Sequence, residues 1–418
     1  MGVAENTSAE RTCRHCGSPL EEIFVDLGMS PIANDNIPAA QESAMEAFYP
    51  LKAMVCGECF LVQLLDYESA ENMFDDDYAY FSSYSRSWLE HCRFYVDEMT
   101  SRLELGSASK VVELASNDGY LLQYFQEKKI PVLGVEPTAS TAAAARDKGI
   151  PTVEEFFGVE VAERLASDGK ADLLLGNNVL AHVPDINDFV GGMKLLLKPG
   201  GVITMEFQNL ATLIELNQWD TIYHEHFSYL CFTSASRIFE RHGLRLFDVD
   251  KLSTHGGSLR IYACHAEDEQ KPETEAARSM LEHEAAAGLN DLSTYRTFAR
   301  RVEEDKRQIV SFLIDLKDQG RSIVGYGAPA KGNTLLNYCG IGQDFLDFTC
   351  DRNPHKQGHV LPGTHIPIVD PARIDETKPD VVLILPWNLR EEVMEQLSHI
   401  REWGGAFAAR APELKMFE

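Results

Sequence analysis

The sequence predicts a multidomain α/β protein with a small cysteine-containing module near its N-terminus. Three observations lead to this fold class: two C-x-x-C pairs within the first 60 residues, an alternation of apolar strands and amphipathic helices from residue 110, and a second alternation from residue 321. Strands that alternate with helices form parallel, doubly wound sheets. We therefore expect two such sheets after the module, in a chain whose 418 residues suffice for two or three domains.

The composition narrows the range of partners. A net charge of −27 disfavours nonspecific binding to nucleic acid or to an anionic membrane. The sequence has no long apolar run and no charged-then-apolar N-terminus, so we expect a soluble, unprocessed protein. Nine cysteines without a secretory signal indicate reduced thiols, and hence a cytoplasmic location.

Four cysteines near the N-terminus have the spacing of a metal site. Cys13 and Cys16 form one C-x-x-C pair, and Cys56 and Cys59 form another about forty residues later. Two such pairs place four thiolates on two tight turns, which is the tetrahedral geometry that Zn²⁺ prefers. Because no coordination position stays open, we expect a structural zinc site with His15 as a bystander. A disulfide or a chance pairing is the weaker alternative.

An aromatic segment follows at residues 75–88 (DDDYAYFSSYSRSW), where tyrosines and hydroxyls stand beside acids. Aromatic rings and hydroxyls suit a lid over a polar organic ligand. The alternative is a solvated cap that leads into a helix at about residues 87–105.

Residues 110–137 have the pattern of a strand, a tight turn, a helix and a second strand, with apolar runs at 111–114 and 132–135. Small residues form the turn at 115–119, so a ligand can approach the backbone at a helix N-terminus. Glu136, which closes the second strand, can accept hydrogen bonds from ribose hydroxyls. The alternative is an ordinary α/β unit without a ligand.

This stretch resembles the cofactor site of class I S-adenosylmethionine (SAM) methyltransferases, which usually carry glycine where this chain has Ala115. Further strands are expected at residues 152–156, 171–176 and 202–207, the last after a Lys-Pro-Gly-Gly turn that recurs in this fold. The resemblance implies that the loop after the fourth strand lies across the cofactor. The SAM contacts that it implies are Glu113, Ala115, Ser116, Asn117, Asp118, Glu136, Pro137, Asn177 and Asn178.

Residues 223–226 (Tyr-His-Glu-His) are the chemically densest run in the sequence. Metal binding and structural burial are two interpretations; general acid–base work is favoured, because His, Glu and Tyr move protons near neutral pH. If the run is extended, His224 and His226 share one face, and Tyr223 and Glu225 share the other. A later glycine pair places His255 in a loop near a ligand.

The C-terminal region predicts a second, smaller nucleotide-binding unit. After an amphipathic helix that ends near residue 317, a strand at 322–326 leads into a Gly-Tyr-Gly loop with Lys331 and Asn333. Backbone amides and a cation at such a loop can hold a diphosphate. Arg352 and Lys356 on the next loop strengthen this interpretation in an acidic protein.

Taken in order, these motifs resemble the sugar-nucleotide C-methyltransferases of deoxysugar pathways, such as the 3-C-methyltransferases of nucleotide-linked 4-keto-6-deoxysugars. The resemblance covers roughly residues 11 to 415. It implies a zinc-binding module at 11–75, a class I SAM methyltransferase doubly wound sheet at 76–265, a helical connector at 266–320 and a Rossmann-like nucleotide-sugar-binding domain at 321–418. The implied cofactors are SAM and structural Zn²⁺, and a monomer is expected.

The resemblance also implies a reaction, in which C3 of the sugar is deprotonated to an enolate and the methyl group is then transferred to carbon. His226 is the implied base, Tyr223 and Glu225 position the sugar or steady the enolate, and His182 and Tyr78 line the pocket. The implied substrate contacts are Tyr80, His255, Lys331, Asn333, Arg352 and Lys356. Two alternatives stay open: O- or N-methylation by the same architecture, and a non-catalytic nucleotide-binding module, which Ala115 favours.

Overall fold

The computed structural model describes residues 11–67, 81–84, 86–410 and 413–417. The strands of this part of the chain are β1 (Glu22–Ser30), β2 (Ile37–Pro38), β3 (Tyr49–Val55), β4 (Val62–Leu64), β5 (Val111–Leu114), β6 (Val132–Val135), β7 (Thr152–Val153), β8 (Ala171–Asn177), β9 (Leu197–Gln208), β10 (Ser228–Tyr229), β11 (Leu244–Leu252), β12 (Ser258–His265), β13 (Ile323–Tyr326), β14 (Thr349–Cys350), β15 (His359–Val360), β16 (Ile368–Val369), β17 (Val381–Ile384), β18 (Ala406–Arg410) and β19 (Leu414–Phe417).

The α-helices of the same part of the chain alternate with these strands. They are α1 (Arg86–Arg102), α2 (Leu122–Glu127), α3 (Ala139–Asp147), α4 (Val159–Ser167), α5 (Ile186–Leu196), α6 (Leu210–Glu215), α7 (Phe232–Arg241), α8 (Glu275–Ala286), α9 (Leu292–Asp318), α10 (Ala330–Cys339), α11 (Arg373–Thr377) and α12 (Arg390–Gln396). Within the described ranges, none of the helices is both long and apolar enough to cross a membrane.

The central sheet has seven strands in the order β11-β12-β9-β8-β5-β6-β7. Strands β5 to β9 are parallel, whereas β12 is antiparallel to both of its neighbours. The chain winds outward from β5 to β7 and then returns to lay β8 on the other side of β5. In doubly wound sheets, ligands bind outside the carboxyl ends of the strands at this point of reversal. The loops after β5 and β8 therefore face one crevice.

The Lys-Pro-Gly-Gly turn at residues 198–201 differs from its prediction. It does not precede a strand; it forms a bulge inside β9, because the pairing with β8 passes directly from Leu197 to Val202. Gly200 adopts a φ of +80°, a left-handed backbone that glycine tolerates without a steric penalty. The predicted strand at 202–207 is confirmed on the far side of this bulge.

The N-terminal sheet carries the cysteine turns and has the order β1-β3-β4-β10, with antiparallel pairing throughout. Its fourth strand, β10, follows directly after the 223–226 run. Because Ser228 pairs with Gln63 and Tyr229 pairs with Val62, the N-terminal sheet directly supports the segment that sequence chemistry singles out.

The C-terminal sheet has the order β16-β14-β13-β17-β18-β19, and only β19 is antiparallel to its neighbour. One apolar core joins this sheet, the long helix α9 and the N-terminal sheet. Within it, the rings of Phe24 and Phe298 stack with centroids 4.5 Å apart. A second link is the short pairing of β2 with β15. The N-terminal and C-terminal regions are thus packed together around the crevice of the central sheet.

Candidate active site

A cavity of about 590 Å³ opens at the carboxyl ends of β5 and β8. Its wall includes Asn34 from the N-terminal region, the loops after β5, β6 and β8, the 223–226 run, and Lys331 and Lys356 from the C-terminal region. Cavities of this size hold small organic ligands. The structure therefore brings together motifs that are up to about 320 residues apart in the sequence.

The loop after β5 has a left-handed backbone at two cavity-lining residues, Ala115 with φ +55° and Asn117 with φ +48°. Asparagine adopts this region readily, whereas the Cβ of alanine makes it costly. The loop lies very close to β6, since a Cβ built on Gly134 would approach the hydroxyl of Ser116 to 2.3 Å. Ala115 thus occupies a position where glycine would be unstrained, and it keeps its small side chain on the cavity wall.

Glu136 anchors this loop from the end of β6. Its Oε2 accepts from the backbone N–H of Asn117 at 2.9 Å, and its Oε1 accepts from the N–H of Thr138 at 3.0 Å and from the hydroxyl of Thr141 at 3.1 Å. Burial raises the pKa of Glu136, against the effect of these hydrogen bonds. The carboxylate lines the cavity and keeps part of its acceptor capacity for a ligand.

Several buried polar atoms of cavity-lining residues have no hydrogen-bond partner among the described residues: Asn177 Nδ2, Ser228 Oγ and His255 Nδ1. Buried donors and acceptors are almost always paired in native proteins. Together with the acceptor left on Glu136, they fit a polar ligand that completes the site. A nucleoside such as that of SAM, with ribose hydroxyls and an amino acid group, supplies the matching atoms.

Three predicted cofactor contacts lie behind the wall and do not line the cavity: Glu113, Ser116 and Asp118. Glu113 is fully buried in β5, and burial raises the pKa of its carboxyl well above the usual range. Asp118 is paired with Lys148 at 3.0 Å. The predicted contacts at Ala115, Asn117, Glu136, Pro137, Asn177 and Asn178 do line the cavity. Tyr78 and Tyr80 lie outside the described residues.

The 223–226 run is a turn, so the two-face arrangement that an extended run would give does not apply. The backbone N–H of His226 donates to the carbonyl oxygen of Tyr223 at 3.0 Å, so the two side chains come to the same side, with ring centroids 4.1 Å apart. Both line the cavity. His224 instead faces Pro50, whose carbonyl oxygen lies 3.3 Å from His224 Nε2. The side chains therefore do not alternate between two faces.

Hydrogen bonds to backbone carbonyls hold His226 and His182 as neutral imidazoles of the same tautomer. Nδ1 of His226 lies 3.2 Å from the carbonyl oxygen of Thr221, and Nδ1 of His182 lies 2.7 Å from that of Glu225. A carbonyl only accepts, so Nδ1 carries the hydrogen and Nε2 is left as the basic atom. Burial lowers the pKa of His182 to about 4. Burial, and next the neighbouring His182, lower the pKa of His226 well below 6.5.

Three predicted catalytic or substrate residues do not line the cavity. The carboxylate of Glu225 accepts from the backbone N–H and the Nδ2 of Asn34, at 3.2 and 2.9 Å. Asn333 is buried and donates to the carbonyl oxygen of Ala33 at 3.3 Å. Arg352 is largely exposed and lies 3.6 Å from Glu392. The N-terminal loop contacts Glu225 and Asn333, and α12 contacts Arg352. These contacts join residues distant in sequence, so no local pattern predicts them.

The C-terminal wall of the cavity is basic. Lys331 at the start of α10 donates to Asn388 at 2.8 Å and lies 4.6 Å from the ring centroid of Trp387. Burial lowers the pKa of its ammonium group to about 8. Lys356 donates to the carbonyl oxygen of Ala328 at 2.7 Å, and burial lowers its pKa as well. Both ammonium groups are thus poorly solvated, which favours an anionic partner.

The structure adds cavity residues that the sequence did not single out. The loops after β7 and β8 and the first turn of α5 contribute acids and aromatic rings, and α1 and the N-terminal region contribute one residue each: Glu155, Phe156, Phe157, Asp185, Asp188, Phe189, Trp88 and Asn34. The pair of phenylalanines directly after a short predicted strand is a usable signal for the first of these loops. Asn34 carries no such signal, because its role depends on contacts distant in sequence.

The four predicted zinc ligands come together. The Sγ atoms of Cys13 and Cys59, and those of Cys16 and Cys56, are 3.5 Å apart, and all four lie within 4.8 Å of one another. Zn–S bonds of about 2.3 Å in a tetrahedron require sulfur atoms roughly 3.8 Å apart, so the set fits Zn²⁺ and leaves no open position. His15 turns away toward Asn187.

No other group of three or more possible metal ligands forms within the described ranges. The metal interpretation of the 223–226 run therefore finds no support. None of the nine cysteines, all of which are described, forms a disulfide. The expectation of reduced thiols is consistent with this arrangement.

The order of the central sheet and the cavity at its reversal point define a class I SAM-dependent methyltransferase. Three family models match successive parts of the chain: "Putative zinc binding domain" at residues 13–74, "Methyltransferase domain" at 86–249, and "C-methyltransferase C-terminal domain" at 253–412. The C-methyltransferase NovU of Streptomyces niveus is 36% identical over 404 residues, which are 96% of this chain and 95% of NovU.

This chain therefore belongs to the C-methyltransferase family and is a SAM-dependent C-methyltransferase. Membership decides against O- or N-methylation and against a non-catalytic module. A ubiquinone biosynthesis O-methyltransferase of Bradyrhizobium sp. (strain ORS 278) is 28% identical over 106 residues, which are 25% of this chain and 41% of that protein. The structure of magnesium protoporphyrin IX methyltransferase ChlM from Synechocystis PCC 6803 with bound SAM is 16% identical, covers 42% of this chain and 80% of its own, and has a TM-score of 0.31.

Proposed function

We propose that this enzyme methylates C3 of a nucleotide-linked 4-keto-6-deoxysugar. The observation that carries the proposal is the distribution of charge around one cavity. The walls from the central region bear carboxylates at Glu136, Glu155, Asp185 and Asp188, whereas the C-terminal wall bears the ammonium groups of Lys331 and Lys356. A cationic methyl donor suits the acidic side, and an anionic diphosphate suits the basic side.

On the acidic side, the SAM contacts we propose are the residues of the earlier expectation that line the cavity: Ala115, Asn117, Glu136, Pro137, Asn177 and Asn178. When bound, SAM supplies a methyl group that its sulfonium has already activated. On the basic side, Lys331 and Lys356 hold the diphosphate, and His255 borders the sugar. Because the two lysines are half-buried and line the cavity of a chain of net charge −27, their placement is unlike a general surface charge.

His226 lines the same cavity and supplies the base. Its Nε2 takes the proton from C3, the electron pair of the C–H bond forms a C3–C4 double bond, and the negative charge passes to the oxygen on C4. With SAM bound, the C3–C4 electron pair would form the bond to the methyl carbon as its bond to sulfur broke; S-adenosylhomocysteine would leave and the C4 carbonyl would be restored. Because burial keeps the pKa of His226 well below 6.5, the imidazole is neutral and able to accept a proton at pH 7.

Tyr223 stands beside His226 and is placed to donate its hydroxyl hydrogen to the developing oxyanion. His182 packs edge-on against His226, with ring centroids 4.6 Å apart, and restricts its rotation. Glu225 accepts a hydrogen bond from Asn34, and this contact helps to fix the shape of the 223–226 turn. Tyr78 and Tyr80 remain proposed contacts to the sugar from the segment before α1.

The proposal is tested by incubating the enzyme in heavy water with a panel of nucleotide-linked 4-keto-6-deoxysugars. With SAM present, S-adenosylhomocysteine and a C3-methylated sugar are expected; without SAM, deuterium is expected to enter C3. A His226→Gln variant should lose both activities by at least about a hundredfold, the magnitude of general base catalysis.

The matched control is His224→Gln, which changes a histidine of the same turn that faces Pro50 rather than the cavity. It should retain both activities. A folded His226→Gln variant that binds SAM and still exchanges and methylates C3 would show that another group is the base. Methylation by the wild-type enzyme at a carbon other than C3 would refute the proposed position.

A further inference from the structure

The loop at residues 33–34 of the N-terminal region contacts both other regions next to the cavity. The carbonyl oxygen of Ala33 accepts from Asn333 of α10 at 3.3 Å. The backbone N–H and the Nδ2 of Asn34 both donate to Oε1 of Glu225. Asn34 itself lines the cavity, and the Glu225 side chain does not. The loop thus holds Glu225, which lies in the chain between the two cavity-lining residues Tyr223 and His226.

Fixing Glu225 has a direct effect on His182. The backbone carbonyl of Glu225 is the acceptor, at 2.7 Å, for Nδ1 of His182. A histidine nitrogen that donates to a carbonyl must carry the hydrogen, so this contact places the hydrogen of the neutral ring on Nδ1. If the Glu225 peptide turned, His182 would lose the partner that selects its tautomer, and His226 would lose the oriented ring packed 4.6 Å away.

We propose that Asn34 is a positioning residue for carbon methylation: through Glu225 it holds the 223–226 turn so that His182 keeps its hydrogen on Nδ1 and the ring of His226 stays aligned. This inference rests on the proposed function. It gives the N-terminal region a part in the chemistry beyond its zinc site, because the residue that aligns the two imidazoles comes from that region.

Asn34→Leu tests the inference, since leucine has a similar volume and no donor. Without substrate, the ¹⁵N spectrum of the histidine rings should show His182 changing from the Nδ1–H form to a mixture of tautomers, with the signal assigned by its absence in His182→Gln. With substrate, kcat should fall about tenfold, as is typical when an orienting partner is removed. The dissociation constant for SAM should stay within about twofold, because the central-region wall is unchanged.

Asn36→Leu is the matched control, because Asn36 belongs to the same loop and does not line the cavity. It should leave the tautomer and kcat unchanged. The double variant Asn34→Asp, Glu225→Gln exchanges donor and acceptor. The new amide at position 225 then donates to the new carboxylate at position 34. It should restore the Nδ1–H form and most of kcat, which a general packing defect would not allow.

The inference is wrong if Asn34→Leu keeps the wild-type tautomer of His182, or if the reversed pair fails to restore it. Failure of the proposed function looks different. In that case, the wild-type enzyme methylates no keto-sugar of the panel, whereas the spectra recorded without substrate still report whether Asn34 controls His182.

Discussion

The guanidinium of Arg410 donates to the carboxylate of Asp220 at 2.8 Å, where both side chains are at most 2% exposed. Arg410 also donates to Asp305 at 2.8 Å, so one cation joins β18, α9 and the segment before the 223–226 turn. The other oxygen of Asp220 accepts from Trp387 Nε1 at 2.6 Å. Since the ring of Trp387 lies under Lys331, this buried network supports the basic wall of the cavity.

Replacing Arg410 should therefore destabilise the protein strongly. Arg410→Met leaves two buried carboxylates without their cation, and removing one partner of a buried ion pair costs about 3–5 kcal/mol. Urea unfolding would measure this loss. Arg373→Met, which removes an exposed pair with Glu376, should change the free energy of unfolding by less than about 1 kcal/mol. Equal effects of the two substitutions would contradict the role given to burial.

The left-handed backbone at Ala115 makes a second prediction about stability. Ala115→Gly removes the strain of a Cβ at φ +55°, which is worth about 1–2 kcal/mol, and adds about 0.5–1 kcal/mol of unfolded-state entropy. The net result should be a gain of up to about 1 kcal/mol in the free energy of unfolding. Ala115→Val should lose stability and bind SAM more weakly, because a branched side chain enters the cavity wall. Calorimetric titration with SAM and urea unfolding would measure both, and a less stable glycine variant would refute the strain argument.

The pH dependence of kcat/KM for the nucleotide sugar should reflect the ionisation of Lys331. Its pKa of about 8 lies below the usual value for lysine, so the ammonium is charged below pH 8 and becomes neutral above it. We expect kcat/KM for the nucleotide sugar to be level below this pH and to fall by up to about tenfold per pH unit above it. Lys331→Arg should move the decline to a much higher pH, because arginine stays charged. A decline unchanged in Lys331→Arg would assign it to another group.

Loss of zinc should disturb the cavity as well as the N-terminal module. Cys59→Ser removes one ligand, and purified protein should then hold far less than the about one zinc per chain expected of the wild type. Activity should fall too, because Arg14, between the ligands Cys13 and Cys16, donates to Pro184 in the loop after His182 at 2.6 Å. Cys339→Ser, which removes a buried thiol elsewhere, should keep its zinc. Full activity in a zinc-free wild-type protein would exclude this coupling.

The parts of the fold that could be predicted are those with a local cause. Apolar runs such as residues 171–176 identify strands, and the two C-x-x-C pairs identify the zinc site, because spacing alone determines both. The turn at 223–226 was not predictable in this way, since alternating residue types fit a strand equally well. Its shape is set by the pairing of β10 with β4 and by the contact of Glu225 with Asn34, 191 residues away.

The same reasoning explains the candidate site. Glu136, Asn177 and His226 follow recognisable strands or motifs, and they line the cavity. Glu113 and Asp118 belong to the same motif, but neither lines the cavity. The side chain of Glu113 is fully buried in β5, and Asp118 is paired with Lys148. The charge of a loop residue likewise does not show which way its side chain points. Lys356 lines the cavity, whereas Arg352, four residues earlier, faces solvent.

The pairing of β2 with β15 has a consequence for the order of events during synthesis. The ribosome releases Cys59, the last zinc ligand, early, so the cysteine turns can close while most of the chain is still unmade. Ile37 can pair with Val360, and Ala33 can accept from Asn333, only after these later residues have been synthesised. A chain that ends before residue 360 therefore has all four cysteines of the zinc site but lacks both this pairing and the cavity wall that residues 386–389 provide.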